Sequence, residues 1–235
     1  MRIIAAGKAL WHGVRAPWRV QEATSQAATA IFAVAVLLIV AVSTWCAILE
    51  NGDPALVAES RTLSQLTEML PVAKDAQLDL STPQRQFTGA LGGALMVTIG
   101  TTAALAGFFL IAMRFMTNAP VTYSMAIVAV SSSAIIQGLD LLVSVAGHIY
   151  FHSARAGLHA GLFVSPIDAP MLFTWLQRIS LFSLWQYIAI AIALSTWGGL
   201  HRRYGIVVGA VVWFITRLIL GAFTLVSWVV SLQKV

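Results

Sequence analysis

Residues 27–49 read AATAIFAVAVLLIVAVSTWCAIL, an apolar run without a charged side chain. About 20 helical residues, each rising 1.5 Å, cross a hydrocarbon core roughly 30 Å thick. Comparable apolar runs follow at 89–113, 121–149, 172–197 and 204–232. Backbone groups in lipid must be hydrogen-bonded within the protein, and the runs lack the alternation of barrel strands. The sequence therefore predicts an all-α polytopic membrane protein with five transmembrane helices.

The amino-acid composition supports this fold class. Hydrophobic residues make up 59% of the chain and charged residues 10%, whereas an ordinary soluble domain has roughly 25% charged residues. The composition therefore excludes a soluble fold. For 235 residues we predict one bundle domain over 27–235, preceded by a basic amphipathic segment over 1–26. The lone cysteine, Cys46, cannot form an intrachain disulfide.

Basic residues near the ends of the spans predict the orientation, because they favour the cytoplasmic side. With the N-terminus inside, the cytoplasmic segments contain one acidic residue, Glu22, whereas the outer segments contain acidic and basic residues in nearly equal number. The basic residues inside would be Arg2, Lys8, Arg15, Arg19, Arg114, Arg202 and Arg203. We therefore predict a cytoplasmic N-terminus and an extracytoplasmic C-terminus. The net charge of +5 then favours an anionic lipid leaflet and needs no nucleic acid.

The segment before the first span has apolar residues at nearly helical spacing, with basic residues between them. The apolar residues are Ile3, Ile4, Leu10, Trp11, Val14 and Trp18. This pattern predicts an amphipathic helix in the lipid headgroup region, broken at Pro17. The alternative is an ordinary basic tail that anchors the topology.

The loop over 50–87 is the longest polar stretch and is predicted to lie outside. Asp53 followed by Pro54 predicts a helix start, since Asp accepts N-terminal backbone bonds and Pro suits the first turn. Leucines then recur on one side of that helix, at Leu56, Leu63, Leu66 and Leu70. They are candidates for docking a partner protein. The alternative is that they rest on the protein's own bundle or on the membrane.

Small residues predict how the helices pack, because close backbone approach drives helix association in lipid. The second span and the start of the last span each contain glycines four or seven residues apart. These are Gly89, Gly93, Gly100 and Gly107 in the second span, and Gly205 and Gly209 in the last. The pattern predicts packing within the bundle, with homo-oligomerisation as the alternative.

The best site candidates inside the predicted spans are the polar residues Gln137, Asp140, Arg178 and Arg217. A charge in the bilayer centre costs about 2.5 to 3.5 kcal/mol, so such residues face the bundle interior and pair. Counting residues from the span ends predicts that Asp140 pairs with Arg178, while Gln137 reaches toward Arg217. The cluster is either a structural ion pair or a path for protons or ions.

His148 and His152 would share a helix face and are the weak candidates for a metal site, with His159 in the following loop. No acidic residue or cysteine lies close in sequence to complete a ligand set. We therefore predict no metal and no other cofactor. The sequence also contains no motif of a known catalytic site, so we predict that the protein is not an enzyme.

Residues 176–194 read LQRISLFSLWQYIAIAIAL, and a basic turn at 201–203 and a final apolar run follow. This pattern resembles the Yip family of membrane proteins, which shares a five-span core. The fourth span of that family often begins with Phe-x-x-Trp, matched here by Phe182 and Trp185. The glycine-rich second span is also similar.

The resemblance implies a non-enzymatic protein that acts by binding. The family is named for interaction with Ypt/Rab GTPases, and bacterial relatives are often accessory proteins near ABC exporters. The alanine-rich composition favours the bacterial type. We therefore predict an accessory subunit of an ABC-type export complex in a bacterial inner membrane, in contact with lipids and with an integral membrane transporter subunit. The alternatives are a small transporter or channel that uses the polar cluster, and a metal- or haem-bearing subunit.

Overall fold

The computed structural model describes residues 2–18, 28–59, 83–153, 156–165 and 169–232. Every regular element in these ranges is helical, so the prediction of an all-α chain is confirmed. The helices are α1 (Arg2–Arg15), α2 (Ala28–Asn51), α3 (Pro83–Thr117), α4 (Tyr123–Ser132), α5 (Ala134–Phe151), α6 (Pro170–Gln177), α7 (Leu181–Trp197) and α8 (Arg202–Leu232). A short 3-10 helix, Ala160–Phe163, precedes α6.

Four segments of the described chain are long and apolar enough to cross a membrane. They are Ala28–Asn51, Leu91–Thr117, Tyr123–Phe151 and Arg202–Ala222. These segments coincide with the first, second, third and fifth predicted spans, and they identify the chain as a membrane protein. The fourth predicted span, 172–197, is divided between α6 and α7. Helix α7 alone has 17 residues, fewer than the roughly 20 of a full crossing.

The expectation of one continuous helix over 172–197 is therefore wrong. The backbone at the break is bonded to a preceding loop. Ala160 donates its N–H to the carbonyl of Ile179 at 2.9 Å. His159 and Ser180 form an isolated antiparallel bridge. These bonds bind the backbone of Ile179 and Ser180 to a loop, so it does not continue the helix. The run is apolar on both sides of the break, and hydrophobic periodicity gave no sign of it.

The third predicted span is also interrupted, at Ser133 between α4 and α5. Ser133 bonds back to Val130 at 3.1 Å and Ile136 bonds to Ser133 at 2.9 Å, which is the tighter 3-10 spacing. The Ser132 and Ser133 hydroxyls donate to the carbonyls of Ala129 and Val130 at 2.8 and 2.7 Å. Such back-bonding often bends helices. The span predicted as one helix is therefore interrupted in its middle.

The chain forms two compact units. Unit 1 comprises Met1–Ser43, Ala94–Leu139 and Phe182–Ile215, and unit 2 comprises Thr44–Gly93, Asp140–Leu181 and Thr216–Val235. The apolar core of unit 1 is formed mainly by buried residues of α3, α4, α7 and α8. Phe109 of α3 stacks at a tilt on Tyr187 of α7, with ring centroids 5.5 Å apart.

Within unit 1, α8 approaches α7 through two of the glycines singled out above. A Cβ at Gly205 would lie 2.6 Å from the Ile192 Cα, and one at Gly209 would lie 2.6 Å from the Ile188 Cα. Real Cβ atoms do not approach so closely, so only glycine permits this distance between the two backbones. The glycine step at the start of the last span therefore packs within the chain.

The glycines of α3 have different surroundings. A Cβ at Gly93, Gly100 or Gly107 would meet nothing within 4 Å. The expectation that this face packs within the bundle is therefore wrong for these three residues. The reason is that α3 buries the opposite face, through Phe109 and Met113. Gly89 also lies in α3.

Helix α1 forms where the amphipathic segment was predicted, and its buried face combines Leu10 with several small residues. Ala6, Ala9 and Gly13 are buried, whereas Trp11 is 54% exposed. The helix packs against α4 in unit 1. A Cβ at Gly13 would overlap the carbonyl oxygen of Ser132, next to the interruption of the third span. The small residues of α1 therefore allow a close contact with α4, and the predicted position at the lipid headgroups stays a prediction.

The predicted helix start at Asp53 and Pro54 can be compared with the structure. Asp53 accepts a bond from the N–H of Ala55 at 2.9 Å, and the chain is helical over 54–59. Asn118 follows the end of α3 with a left-handed φ of 53°. Thr122 caps the next helix by accepting from Met125 at 3.3 Å. Asn tolerates the left-handed region and so serves as a helix terminator here.

We expect Gly13→Ala to destabilise the protein by about 1–3 kcal/mol, because the added methyl meets backbone atoms that cannot rotate away. The matched control is Gly7→Ala on the same helix, where a Cβ meets nothing within 4 Å. That variant should gain up to about 1 kcal/mol from helix propensity. Thermal unfolding in detergent measures both. Equal melting temperatures for the two variants would contradict the contact between α1 and α4.

Candidate functional site

Polar side chains of unit 2 meet where α2 and α5 end. Nδ1 of His148 lies 2.6 Å from Oε1 of Glu50. Nδ1 of His152 lies 2.7 Å from Oδ2 of Asp53. Two imidazoles from one helix end are therefore bound by two carboxylates from another part of the chain. We call these four residues the histidine–carboxylate cluster.

The local fold places each member of the cluster. His148 and His152 are one helical turn apart, and α5 ends at Phe151. His152 then adopts a left-handed φ of 48°. Asp53 follows the end of α2 and caps the next helix, so one carboxylate both starts a helix and binds an imidazole. The hydrogen bond with His152 is the main cause that lowers the pKa of Asp53, and its bonds with backbone N–H groups contribute.

The cluster changes the assessment of His148 and His152 as metal ligands. Sequence proximity suggested no acidic neighbours, but the fold supplies Glu50 and Asp53. A carboxylate on Nδ1 orients an imidazole, as it does beside many metal sites. Yet the part of the chain that the structure describes contains no group of three or more histidine, cysteine or acidic residues that could hold a metal ion. The arrangement is two paired histidines, which hold the ends of two chain segments together.

His159 is the third histidine of unit 2 and differs from the other two. Its ring lies between Gly157 and Gly161, where an added Cβ would approach ring atoms to 2.6 and 2.9 Å. The ring also meets Phe173 edge-on, with centroids 6.3 Å apart. Both ring nitrogens are buried, and neither has a hydrogen-bond partner among the described residues. Burial is the main cause that lowers the pKa of His159, and the neighbouring His148 adds to the effect.

Asp140 does not pair with Arg178 as predicted. Its Oδ2 accepts a hydrogen bond from the Ser180 hydroxyl at 3.1 Å, and the positive charge that acts on it is that of Arg217. Arg178 is exposed. The depth argument assumed one helix over 172–197, whereas the chain leaves the helix at Arg178 and turns Ser180 toward Asp140. Gln137 is exposed too, so the four predicted residues do not form one cluster.

Unit 1 has a polar group that the sequence analysis did not identify. The interruption between α4 and α5 contains three buried serines, Ser131, Ser132 and Ser133. Gln186 of α7 donates to the Ser133 hydroxyl at 3.2 Å. Trp213 of α8 donates to the Ser183 hydroxyl at 2.9 Å. In the sequence, three consecutive serines inside an apolar run were the feature that could have indicated this polar group.

The remaining candidates are placed as follows. Phe182 and Trp185 lie in the first turns of α7, with ring centroids 6.2 Å apart. Leu56 is only 5% exposed, so its side chain packs within the chain and is not available to a partner protein. Leu63, Leu66 and Leu70 lie outside the described residues.

The chain was compared with known proteins. No protein-family model, no curated protein and no solved structure matches it. The chemistry of its own residues therefore carries the functional argument.

His159 should make the fold sensitive to acid. Because its pKa in the folded protein is below the ordinary value of 6.5, the unfolded chain binds the proton more readily. The neutral ring thus contributes stability that is fully present above about pH 6.5 and is lost as the pH falls below it. We expect the melting temperature to drop between pH 7 and pH 5, and His159→Phe to reduce that drop.

The matched control for His159→Phe is His201→Gln, since His201 is exposed. It should leave the pH dependence of the wild type unchanged. Equal pH slopes for His159→Phe and the wild type would show that His159 is not held neutral in the fold.

Proposed function

We propose that this protein is non-enzymatic and acts by binding another membrane protein through the exposed face of α3. The observation that supports this is the poor burial of that helix. In the apolar stretch of α3, 18% of the residues are buried, against 33%, 56% and 28% in the first, third and last candidate spans. A membrane helix that its own chain covers so little has room for a partner helix.

The exposed face of α3 has the composition of a helix interface in lipid. Gly93, Met96, Val97 and Gly100 are all exposed, and their spacing puts them on one side of the helix. The face continues to Ile111, which is 68% exposed. Small residues allow helix backbones to approach closely, and the flanking side chains then supply dispersion contacts.

The kind of partner is proposed from the resemblance to the Yip family. That resemblance includes the motif at Phe182 and Trp185, and it points to bacterial relatives found near ABC exporters. We propose an accessory subunit of such an export complex in a bacterial inner membrane. The proposed partner is an integral membrane subunit of the exporter.

The orientation proposed with this function has the N-terminus in the cytoplasm and the C-terminus outside. The charges on either side of the spans support it. In this arrangement α6 and α7 together make the fourth of five crossings. Asn51 would then lie outside, and His201 inside.

Cysteine labelling tests the orientation. In a Cys46→Ser background, Asn51→Cys should react with a membrane-impermeant maleimide in intact cells, because both the orientation and the exposure of Asn51 make it accessible. His201→Cys, also at an exposed position, should react only after permeabilisation. Labelling of His201→Cys in intact cells would reverse the proposed orientation.

Purification in mild detergent tests the binding function. We expect a stoichiometric integral membrane protein to co-purify, and the double variant Gly93→Leu with Gly100→Leu to recover several-fold less of it per folded molecule. The added side chains enter open space within this chain, so they block a partner and spare the fold. Gly7→Leu, which also enters open space, is the matched control. Unchanged recovery in the double variant would exclude the α3 face.

A small transporter is the second candidate, and the interruption of the helix at Ser133 favours it. Interrupted membrane helices supply polar binding groups in many transporters, and here Gln186 reaches the Ser133 hydroxyl. Gln137 and Arg178, which the transporter hypothesis invoked, are exposed. The purification separates the two candidates, because a self-sufficient transporter retains no stoichiometric partner.

A further inference from the structure

Unit 2 contains an apolar cleft of about 650 Å³ beside the end of α5. Helix α5 supplies one wall, and the chain from residue 156 to the 3-10 helix supplies the other. The lining includes Val143, Gly147 and Phe151 on the first wall, and Ala156, Leu158 and Leu162 on the second. Among the described lining residues Ser153 has the polar side chain, and its hydroxyl donates to Oε1 of Glu59 at 3.4 Å.

The two walls are held at a fixed distance by a close backbone contact. A Cβ at Gly147 would lie 3.0 Å from the carbonyl oxygen of Ala156, so the absence of a side chain lets the segment approach α5. Ala160 then bonds to Ile179, which fixes the far end of the second wall. The cleft is therefore a feature of the folded chain.

The cleft adjoins an exposed apolar stripe on a candidate membrane span. Leu142, Val143, Ala146 and Tyr150 are exposed on α5 and lie on one side of it. They belong to the candidate span Tyr123–Phe151, so their exposed stripe meets membrane hydrocarbon. Val143 belongs to both the stripe and the cleft lining. The apolar interior of the membrane is therefore continuous with the interior of the cleft.

The rim of the cleft suits the border between hydrocarbon and headgroups. Tyr150 is 79% exposed, and Phe163, next to the lining residue Leu162, is 87% exposed. Aromatic side chains concentrate at this border in membrane proteins. A lipid with its headgroup at that level would have its acyl chains at the depth of Val143.

We propose that this cleft binds one acyl chain of a membrane phospholipid. A hydrocarbon chain suits the described lining residues better than a polar ligand does, because they are mainly apolar and the Ser153 hydroxyl already donates to Glu59. An empty cleft would leave its lining without dispersion contacts. A hydrocarbon chain supplies those contacts and enters from the adjoining bilayer. This binding is independent of the partner proposed for α3.

Photo-crosslinking with a lipid probe tests the proposal. The protein is reconstituted in vesicles of phosphatidylethanolamine and phosphatidylglycerol, with a tracer phosphatidylcholine that carries a diazirine in one acyl chain. After irradiation, mass spectrometry locates the adducts. We expect them to be concentrated in residues 143–151 and 156–162, relative to exposed stretches of α3. An even distribution over both regions would overturn the proposal.

Val143→Trp should fill the cleft and reduce those adducts several-fold. Its matched control is Leu142→Trp, since the two positions are adjacent on α5 and 37% and 43% exposed, and only Val143 lines the cleft. On the second wall, Leu158→Trp should have the same effect, and Phe163→Trp should not. Each variant is first shown to fold by its melting temperature. Unchanged adducts in a folded Val143→Trp or Leu158→Trp protein would refute the binding of an acyl chain.

Discussion

The structure depends on one constraint: in hydrocarbon, each backbone N–H and C=O needs a partner within the protein. Long helices meet it, and the two interruptions meet it by other means. At Ser133 the bonds tighten to 3-10 spacing, and serine hydroxyls bond the carbonyls one turn earlier. At Ile179 the carbonyl accepts a bond from Ala160. Each interruption brings in another part of the chain, since Gln186 bonds to Ser133 and Ser180 reaches Asp140. These two polar contacts inside the apolar segments thus occur where helices stop being regular.

Glycine has two opposite uses in this chain. At Gly13, Gly205 and Gly209 a side chain would overlap or crowd a neighbouring backbone, so these residues set helix-to-helix distances within unit 1. At Gly93 and Gly100, seven residues apart, an added Cβ meets nothing within 4 Å. A small-residue pattern therefore indicates where backbones can approach, but it does not specify whether another helix of the chain packs there.

The histidines of unit 2 show how position determines chemistry. His148 and His152 each have a carboxylate on Nδ1, whereas His159 has neither ring nitrogen bonded among the described residues. The first two hold chain segments together by polar contacts. The third contributes to packing as long as it is neutral, because its pKa is lowered by burial. The apolar cleft is lined by Gly157 and Leu158, which directly precede His159. The packing of His159 and the shape of the cleft therefore depend on the same loop.

The sequence by itself determined the all-α fold, the membrane class and four of the long apolar segments, because length and apolarity of a run are enough to require a helix in lipid. It also determined the helix start at Asp53 and Pro54, since capping is a local interaction. Only the tertiary structure decided the partners of Asp140, His148 and His152, which lie far away in sequence. The break at 178–180 was likewise decided by a contact with another segment, whereas the break at Ser133 involves bonds between near neighbours in sequence. Hydrophobicity fixes which segments enter the membrane, but it is the same on all sides of an apolar helix and cannot specify which neighbour each side meets.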